Sequence, residues 1–257
     1  MKKKALLQLL KNKFPSFDPK ELYARIVCGE VLVNGEHIRD PHHKVAVDVQ
    51  LQFNTKKYVS RGGLKLEAAI KEWQLPVEGR VFLDAGASTG GFTDCLLQQG
   101  AHKVHAIDVG YNQIDFSLFQ DSRVILAERT NIMHVEMLDP QPDAAVADLS
   151  FRSLRGAANH IIDLTAEKWM VGLLKPQFET ESVDIADFDG VVRIEEEVQR
   201  ILDLTIQALI EDGLQVRTVM TSPIKGRKGN REFLLLLTGN TCNVFSGERF
   251  TYKNPFT

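Results

Sequence analysis

From residue 80 onward the apolar positions fall in short runs separated by longer amphipathic stretches, the pattern of alternating strands and helices. Runs at 81–84, 104–108, 124–126, 144–148, 169–174, 214–219 and 232–238 predict strands, and 91–99, 153–165 and 194–212 predict helices. Strands such as Val171-Gly172-Leu173-Leu174 and Phe233 to Leu237 carry no polar face, so they belong in a sheet covered on both sides. Strict strand–helix alternation makes that sheet largely parallel, an α/β architecture of seven strands, with the last strand inserted antiparallel. A further helix is expected over 64–73. The longest apolar run, Phe233 to Leu237, is far too short to cross a membrane.

Before residue 54 the pattern changes. Lys4 to Lys13 predicts one helix. Asp18-Pro19 begins a second as N-cap and first helical residue, running from Lys20 to Cys28 and stopping at Gly29. Val31 to Ile38 reads as a hairpin turning at Asn34-Gly35, and Val45 to Phe53 alternates as one final strand. The expected organisation is therefore a small α/β module at 1–54, a linker at 55–61, a main domain at 62–240 and a tail at 241–257 without periodicity.

Charge sharpens this division. The net charge of −3 conceals 13 Lys/Arg against 6 Asp/Glu in residues 1–65, a balance of +7, while the rest of the chain carries −10. A basic module on an acidic body suggests an appendage that binds a polyanion. Lysines 11 and 13 interrupt what would otherwise imitate the start of a signal peptide, which favours a cytoplasmic protein. Cys28, Cys95 and Cys242 are scattered and form no C-x-x-C, and His42-His43 has no ligand partner at metal-binding spacing, so no metal is expected.

The chemistry concentrates in Asp84-Ala85-Gly86-Ala87-Ser88-Thr89-Gly90-Gly91-Phe92, directly after the first strand of the main domain. Small residues there let the backbone approach a ligand, and the following helix start offers free N–H groups. Asp108, at the end of the next strand, is placed to take two ribose hydroxyls. Ser88 breaks a dinucleotide fingerprint, and Phe92-Thr93 replace the Lys-Ser/Thr of a phosphate loop. The remaining pattern, D-x-G-x-x-x-G-G, is typical of S-adenosylmethionine methyltransferases. Candidate cofactor contacts are thus Asp84, Gly86, Ala87, Ser88, Thr89, Gly90, Gly91, Phe92 and Asp108, with Asn131 at the adenine edge.

Asp148 and Lys175 each end a predicted parallel strand, where open α/β sheets bind ligands. Helix, helix and "G-E-V-L-V-N-G" resemble the S-four-type RNA-binding domain. "S-R-G-G-L-K-L", "A-D-L-S-F", "L-L-K-P-Q-F-E" and "G-N-R-E-F-L" resemble the hemolysin-A-type (TlyA) rRNA methyltransferases, which pair such a domain with an FtsJ-like, Rossmann-like 2′-O-methyltransferase domain. The resemblance implies a Lys-Asp-Lys-Glu tetrad at Lys65, Asp148, Lys175 and Glu232. It also implies S-adenosylmethionine as cofactor and rRNA, in ribosomal subunits or ribosomes, as partner. Lys175 would contact the 2′-oxygen, as neutral base or as cation. RNA contacts are expected from Lys20, Arg25, Arg61, Lys225, Arg227, Lys228 and Arg231. The competing readings are a cytolysin, a name the family carries, and an RNA-binding protein without catalysis; no membrane-crossing stretch supports the first.

Overall fold

A computed structural model describes residues 3–53, 57–150, 152–179, 189–226 and 228–245. The chain divides into two compact units, Met1–Lys57 and Tyr58–Thr257.

The first unit holds β1 (Lys3–Ala5), α1 (Leu6–Lys13), α2 (Pro19–Val27), β2 (Val31–Val33), β3 (Glu36–His37), β4 (Lys44–Ala46) and β5 (Leu51–Phe53). Asp18 caps α2 by accepting from the Lys20 amide at 2.6 Å, as the Asp-Pro start requires. Asn34 and Gly35 both have positive φ, 53° and 86°, which suits the tight turn between β2 and β3. Two expectations need correction. Lys4 does not begin a helix, because residues 3–5 pair antiparallel with β4. Nor is Val45–Phe53 one strand: the chain turns after Ala46, β4 pairs with β1 and β5 pairs with β2. Leu6, Leu9, Leu10, Leu22, Ile26, Val31, Val33 and Val45 make the buried core of this unit.

The second unit holds α3 (Gly62–Trp73), β6 (Val81–Ala85), α4 (Gly91–Gln98), β7 (Lys103–Ile107), α5 (Phe116–Phe119), β8 (Val124–Ala127), β9 (Ala144–Ala147), α6 (Arg155–Asp163), β10 (Trp169–Leu174), α7 (Glu195–Glu211), β11 (Gln215–Thr221) and β12 (Phe233–Thr238). Its sheet has seven strands in the order β11-β12-β10-β9-β6-β7-β8. All neighbours are parallel except β12, which lies antiparallel between β10 and β11.

The apolar run Phe233–Leu237 of β12 follows from that place between two strands. Leu234 and Leu236 pack with the α3 and α4 residues Leu66, Ile70, Phe92 and Leu96 on one face. Leu235 and Leu237 pack with the α6 and α7 residues Ile161, Ile162, Ile201 and Leu202 on the other. Burial on both sides removes any reason for a polar position. Alternation also places every β6, β9 and β10 carboxyl end, and the start of β12, along one edge of the sheet.

Candidate active site

The glycine run is the turn from β6 into α4. Gly86 has φ of 86°, and a Cβ there would lie 2.8 Å from the Asp148 carbonyl oxygen, so only glycine lets the β6 and β9 ends approach this closely. Gly90, at φ 91°, is pressed by Leu118 of α5, and Ser88 is left-handed at φ 49°. Asp108 ties the turn down: its Oδ2 accepts from the Ser88 amide at 2.8 Å and its Oδ1 from the Gly110 amide at 2.6 Å. A carboxylate has about four acceptor positions, so two backbone bonds leave capacity for ribose hydroxyls.

Two of the expected cofactor contacts have their side chains elsewhere. Phe92 is 3% exposed and packs in the apolar core beneath α3 and α4. Asp84 is fully buried; its Oδ2 accepts from Thr93 Oγ1 at 2.6 Å, and its Oδ1 has no hydrogen-bond partner among the described residues. Burial pushes the Asp84 carboxyl up to about 7, against the opposing Thr93 hydrogen bond and with Asp148 nearby raising it further. Both residues therefore shape the turn from behind. Asn131 uses Oδ1 to accept from the Met133 amide at 3.1 Å and starts a short 3₁₀ turn over Ile132–His134. Sequence reasoning passed over Gln113, whose Oε1 accepts from Ser88 Oγ at 3.2 Å and whose backbone N–H donates to Glu128 Oε1 at 3.2 Å.

The four expected charges form two ion pairs on that sheet edge. Lys175 Nζ lies 2.5 Å from Asp148 Oδ1, with side chains 10% and 24% exposed. It also donates to the Leu149 carbonyl at 2.9 Å and to Ser150 Oγ at 3.3 Å. Lys65 Nζ, from α3, lies 2.5 Å from Glu232 Oε2, and both are buried. Strand register joins the pairs: Leu174 of β10 is opposite Phe233 of β12, so Lys175 and Glu232 leave adjacent strand ends. Asp148 follows β9, the neighbour of β10 on its other side, and its own carbonyl abuts Gly86. One continuous row thus runs from Lys65 through Glu232, Lys175 and Asp148 to the glycine turn.

The expected RNA contacts divide. Lys20 is exposed. Arg25 is paired with Glu21 at 2.8 Å and Glu30 at 3.6 Å, and its guanidinium sits 5.5 Å from the Phe17 and Phe53 rings. Arg61 donates to the Lys225 carbonyl at 3.1 Å. Lys225 is exposed, and Arg227 lies outside the described residues. Lys228 donates to the Asp189 carbonyl at 3.1 Å, while Arg231 pairs with Glu195 in the acidic first turn of α7. Arg25, Arg61, Lys228 and Arg231 are therefore each engaged by a partner within the protein.

A family model described as FtsJ-like methyltransferase matches residues 58–238, nearly the whole second unit. The chain belongs to the FtsJ-like methyltransferase family. Its methyl donor is S-adenosylmethionine, and the residues fit it: a cradle closed to any Cβ at Gly86, with a carboxylate held at the end of β7. The methyltransferase is 41% identical over 214 residues to Hemolysin A of Brachyspira hyodysenteriae, covering 81% of this chain and 89% of that one. It is 36% identical over 229 residues to the 16S/23S rRNA (cytidine-2′-O)-methyltransferase TlyA of Mycobacterium tuberculosis, covering 87% and 85%. A solved structure named "Putative hemolysin from Streptococcus thermophilus" matches this methyltransferase with a TM-score of 0.69 at 34% identity, over 95% of this chain and 92% of that one.

Proposed function

We propose that this methyltransferase methylates the ribose 2′-oxygen of rRNA, with Lys65, Asp148, Lys175 and Glu232 as its catalytic tetrad, and that it works in the cytoplasm on ribosomal subunits. The observation that carries this reading is the pairing of two buried lysines with two carboxylates on one sheet edge, directly beside the glycine turn. Relatives from M. tuberculosis and Campylobacter jejuni are named rRNA (cytidine-2′-O)-methyltransferases. The S-four-like reading of the first unit, and RNA binding by Lys20, Arg25, Arg61, Lys225, Arg227, Lys228 and Arg231, belong to the same proposal.

S-adenosylmethionine supplies a methyl group on a positively charged sulfur. Gly86, Ala87, Ser88, Thr89, Gly90 and Gly91 would hold it along the turn, Asp84 and Phe92 would support that turn from the core, Asp108 would take the ribose and Asn131 the adenine edge. On the RNA side, a 2′-hydroxyl is a weak nucleophile, so the protein must fix its oxygen and disperse the charge it develops. Lys175 Nζ donates to the Leu149 carbonyl and Ser150 Oγ and lies at ion-pair distance from Asp148, so it is held at the sheet edge where a cation can face the 2′-oxygen. Ser150 is the longest of the three contacts, and a 2′-oxygen would take its place. Asp148 then fixes the direction of the Lys175 ammonium, and the hydroxyl proton displaced as the oxygen takes the methyl passes to solvent water. Lys65 adds a second cation to the same edge, and Glu232 balances its charge.

Radiolabelled methyl transfer to rRNA tests this, using ribosomal subunits from cells lacking the modification. Label on a ribose with wild-type protein, lost in Lys175→Ala that still binds S-adenosylmethionine, is the expected outcome. No label on any RNA, subunit or ribosome from the well-folded wild type would overturn it.

A further inference from the structure

Asn230 stands two residues before Glu232 and is 3% exposed. Its side chain is used at both ends: Oδ1 accepts from the Val192 amide at 2.9 Å, and Nδ2 donates to the Gly190 carbonyl at 2.8 Å. Its own carbonyl accepts from the Gly226 amide at 2.9 Å. Gly226 in turn lies against the catalytic-edge carboxylate, since a Cβ at that position would collide with Glu232 Oε1. The other oxygen of Glu232 faces Lys65. A chain of contacts therefore leads from the 190–192 backbone through Asn230 to Gly226, Glu232 and Lys65.

We propose that Asn230 is a positioning residue, which ties Gly226 and its own backbone to residues 190–192 and so holds Glu232, and through it Lys65, in place for methyl transfer. This rests on the tetrad reading given above. The site demands one buried side chain that donates and accepts at the same time, which an amide does and a carboxylate or an alkyl group does not. Lys228 and Arg231 brace the same stretch of chain against Asp189 and Glu195, but from exposed positions where such contacts are weak. The buried amide is the link that fixes geometry. A displacement of about 1 Å at a catalytic group costs on the order of 100-fold in rate, so the effect belongs in kcat and not in cofactor binding.

The test is a double-mutant cycle between Asn230→Ala and Glu232→Gln, read as methyl transfer to ribosomal subunits under saturating S-adenosylmethionine. Asn230→Ala alone should lower kcat about 10- to 100-fold, with the dissociation constant for S-adenosylmethionine within about twofold of wild type. The double variant should be no slower than Glu232→Gln alone, because both changes disable the same group. Multiplying losses, an unchanged kcat, or a loss confined to cofactor affinity would each overturn the proposal. If Asn230→Ala does not fold, Asn230→Asp carries the same cycle, since it keeps the Val192 contact and removes the donor to Gly190. If wild-type protein transfers no methyl, the tetrad reading falls, and the clamp is judged by hydrogen exchange at the Gly226 amide. Protection lost in Asn230→Ala supports it; protection unchanged overturns it.

Discussion

Arg25 in the first unit and Lys175 in the second are both cations paired with carboxylates, yet the two pairs differ in kind. Arg25 reaches Glu21 one helical turn away and Glu30 just beyond the end of α2, with a quarter to nearly half of each side chain exposed. Lys175 is 10% exposed, and its partner comes from a neighbouring strand end. Water screens the first arrangement, so its partners can be exchanged at little cost, for a phosphate among others. The second has surrendered its hydration and needs every partner it has. On the function proposed above, the cation that would bind a passing polyanion and the cation that would hold one atom in place differ in burial rather than in charge.

Removing the buried cation is the most severe way to break this comparison. Lys175→Ala should lower methyl transfer by about 1,000-fold or more, the scale of a positioned proton-handling or charge-stabilising group. Because the cradle lies in the adjoining turn, cofactor affinity should change far less, and a calorimetric titration beside the rate measurement separates the two. A variant that lost cofactor binding and rate equally would show that Lys175 shapes the cradle instead.

Asp84 sharpens the comparison, for it is a buried carboxyl with the Thr93 hydroxyl for company and, among the described residues, no cation paired with it. Its carboxyl is pushed up to about 7 in the folded protein from 3.8, first by burial. Between those values the unfolded chain has lost the proton and the folded one keeps it. The stability it contributes is complete below about pH 4 and gone above about pH 7, a loss of about 4 kcal/mol. Asp84→Asn has no such titration, so its stability relative to wild type should climb with pH across that window and then level off. Urea denaturation at pH 4, 6 and 8 reads this directly; a constant difference would mean that Asp84 is ionised throughout.

Breaking the other buried pair comes next. Lys65→Ala leaves Glu232 buried without its cation and should cost about 3 kcal/mol of unfolding free energy. Lys65→Met combined with Glu232→Leu should recover most of that stability while leaving the protein inactive, because the pair then disappears as a unit. If the double replacement were as unstable as the single one, the pair would be holding the fold together in addition to any part in catalysis.

How much of this was legible in the sequence follows the same division between local and distant causes. The strands of the main sheet declared themselves by apolar runs, and Asp148 and Lys175 by standing at their ends. The Asp18 cap and the Asn34-Gly35 turn are set by neighbouring residues, and they formed where expected. What escaped notice depends on partners far along the chain. Val45–Phe53 alternates like one strand, but β4 belongs to β1, some forty residues earlier, and β5 to β2. Arg231 looked like an available cation until the fold brought Glu195 to it. Phe92 continued the glycine motif and gave no sign that its ring belongs to the core. Asn230 resembled any polar loop residue, since nothing in Gly-Asn-Arg-Glu announces that residues 190 and 192 will arrive on either side of its amide.

The smallest expected effect lies at the exposed pair, and it is the one that decides whether the first unit is an RNA-binding module. Arg25→Ala removes contacts to two partly exposed carboxylates and two aromatic rings, so it should cost less than about 1 kcal/mol of stability. If Arg25 exchanges Glu21 for a phosphate when RNA binds, the same change should weaken RNA binding and flatten its salt dependence by about 0.7 in log–log slope, the release of one counterion from a single strand. Affinity measured from 50 to 300 mM salt, wild type beside variant, gives that slope. A weaker affinity with an unchanged slope would assign Arg25 to packing against Phe17 and Phe53. An unchanged affinity would take it out of the interface and leave Lys20 and its neighbours to supply the charge.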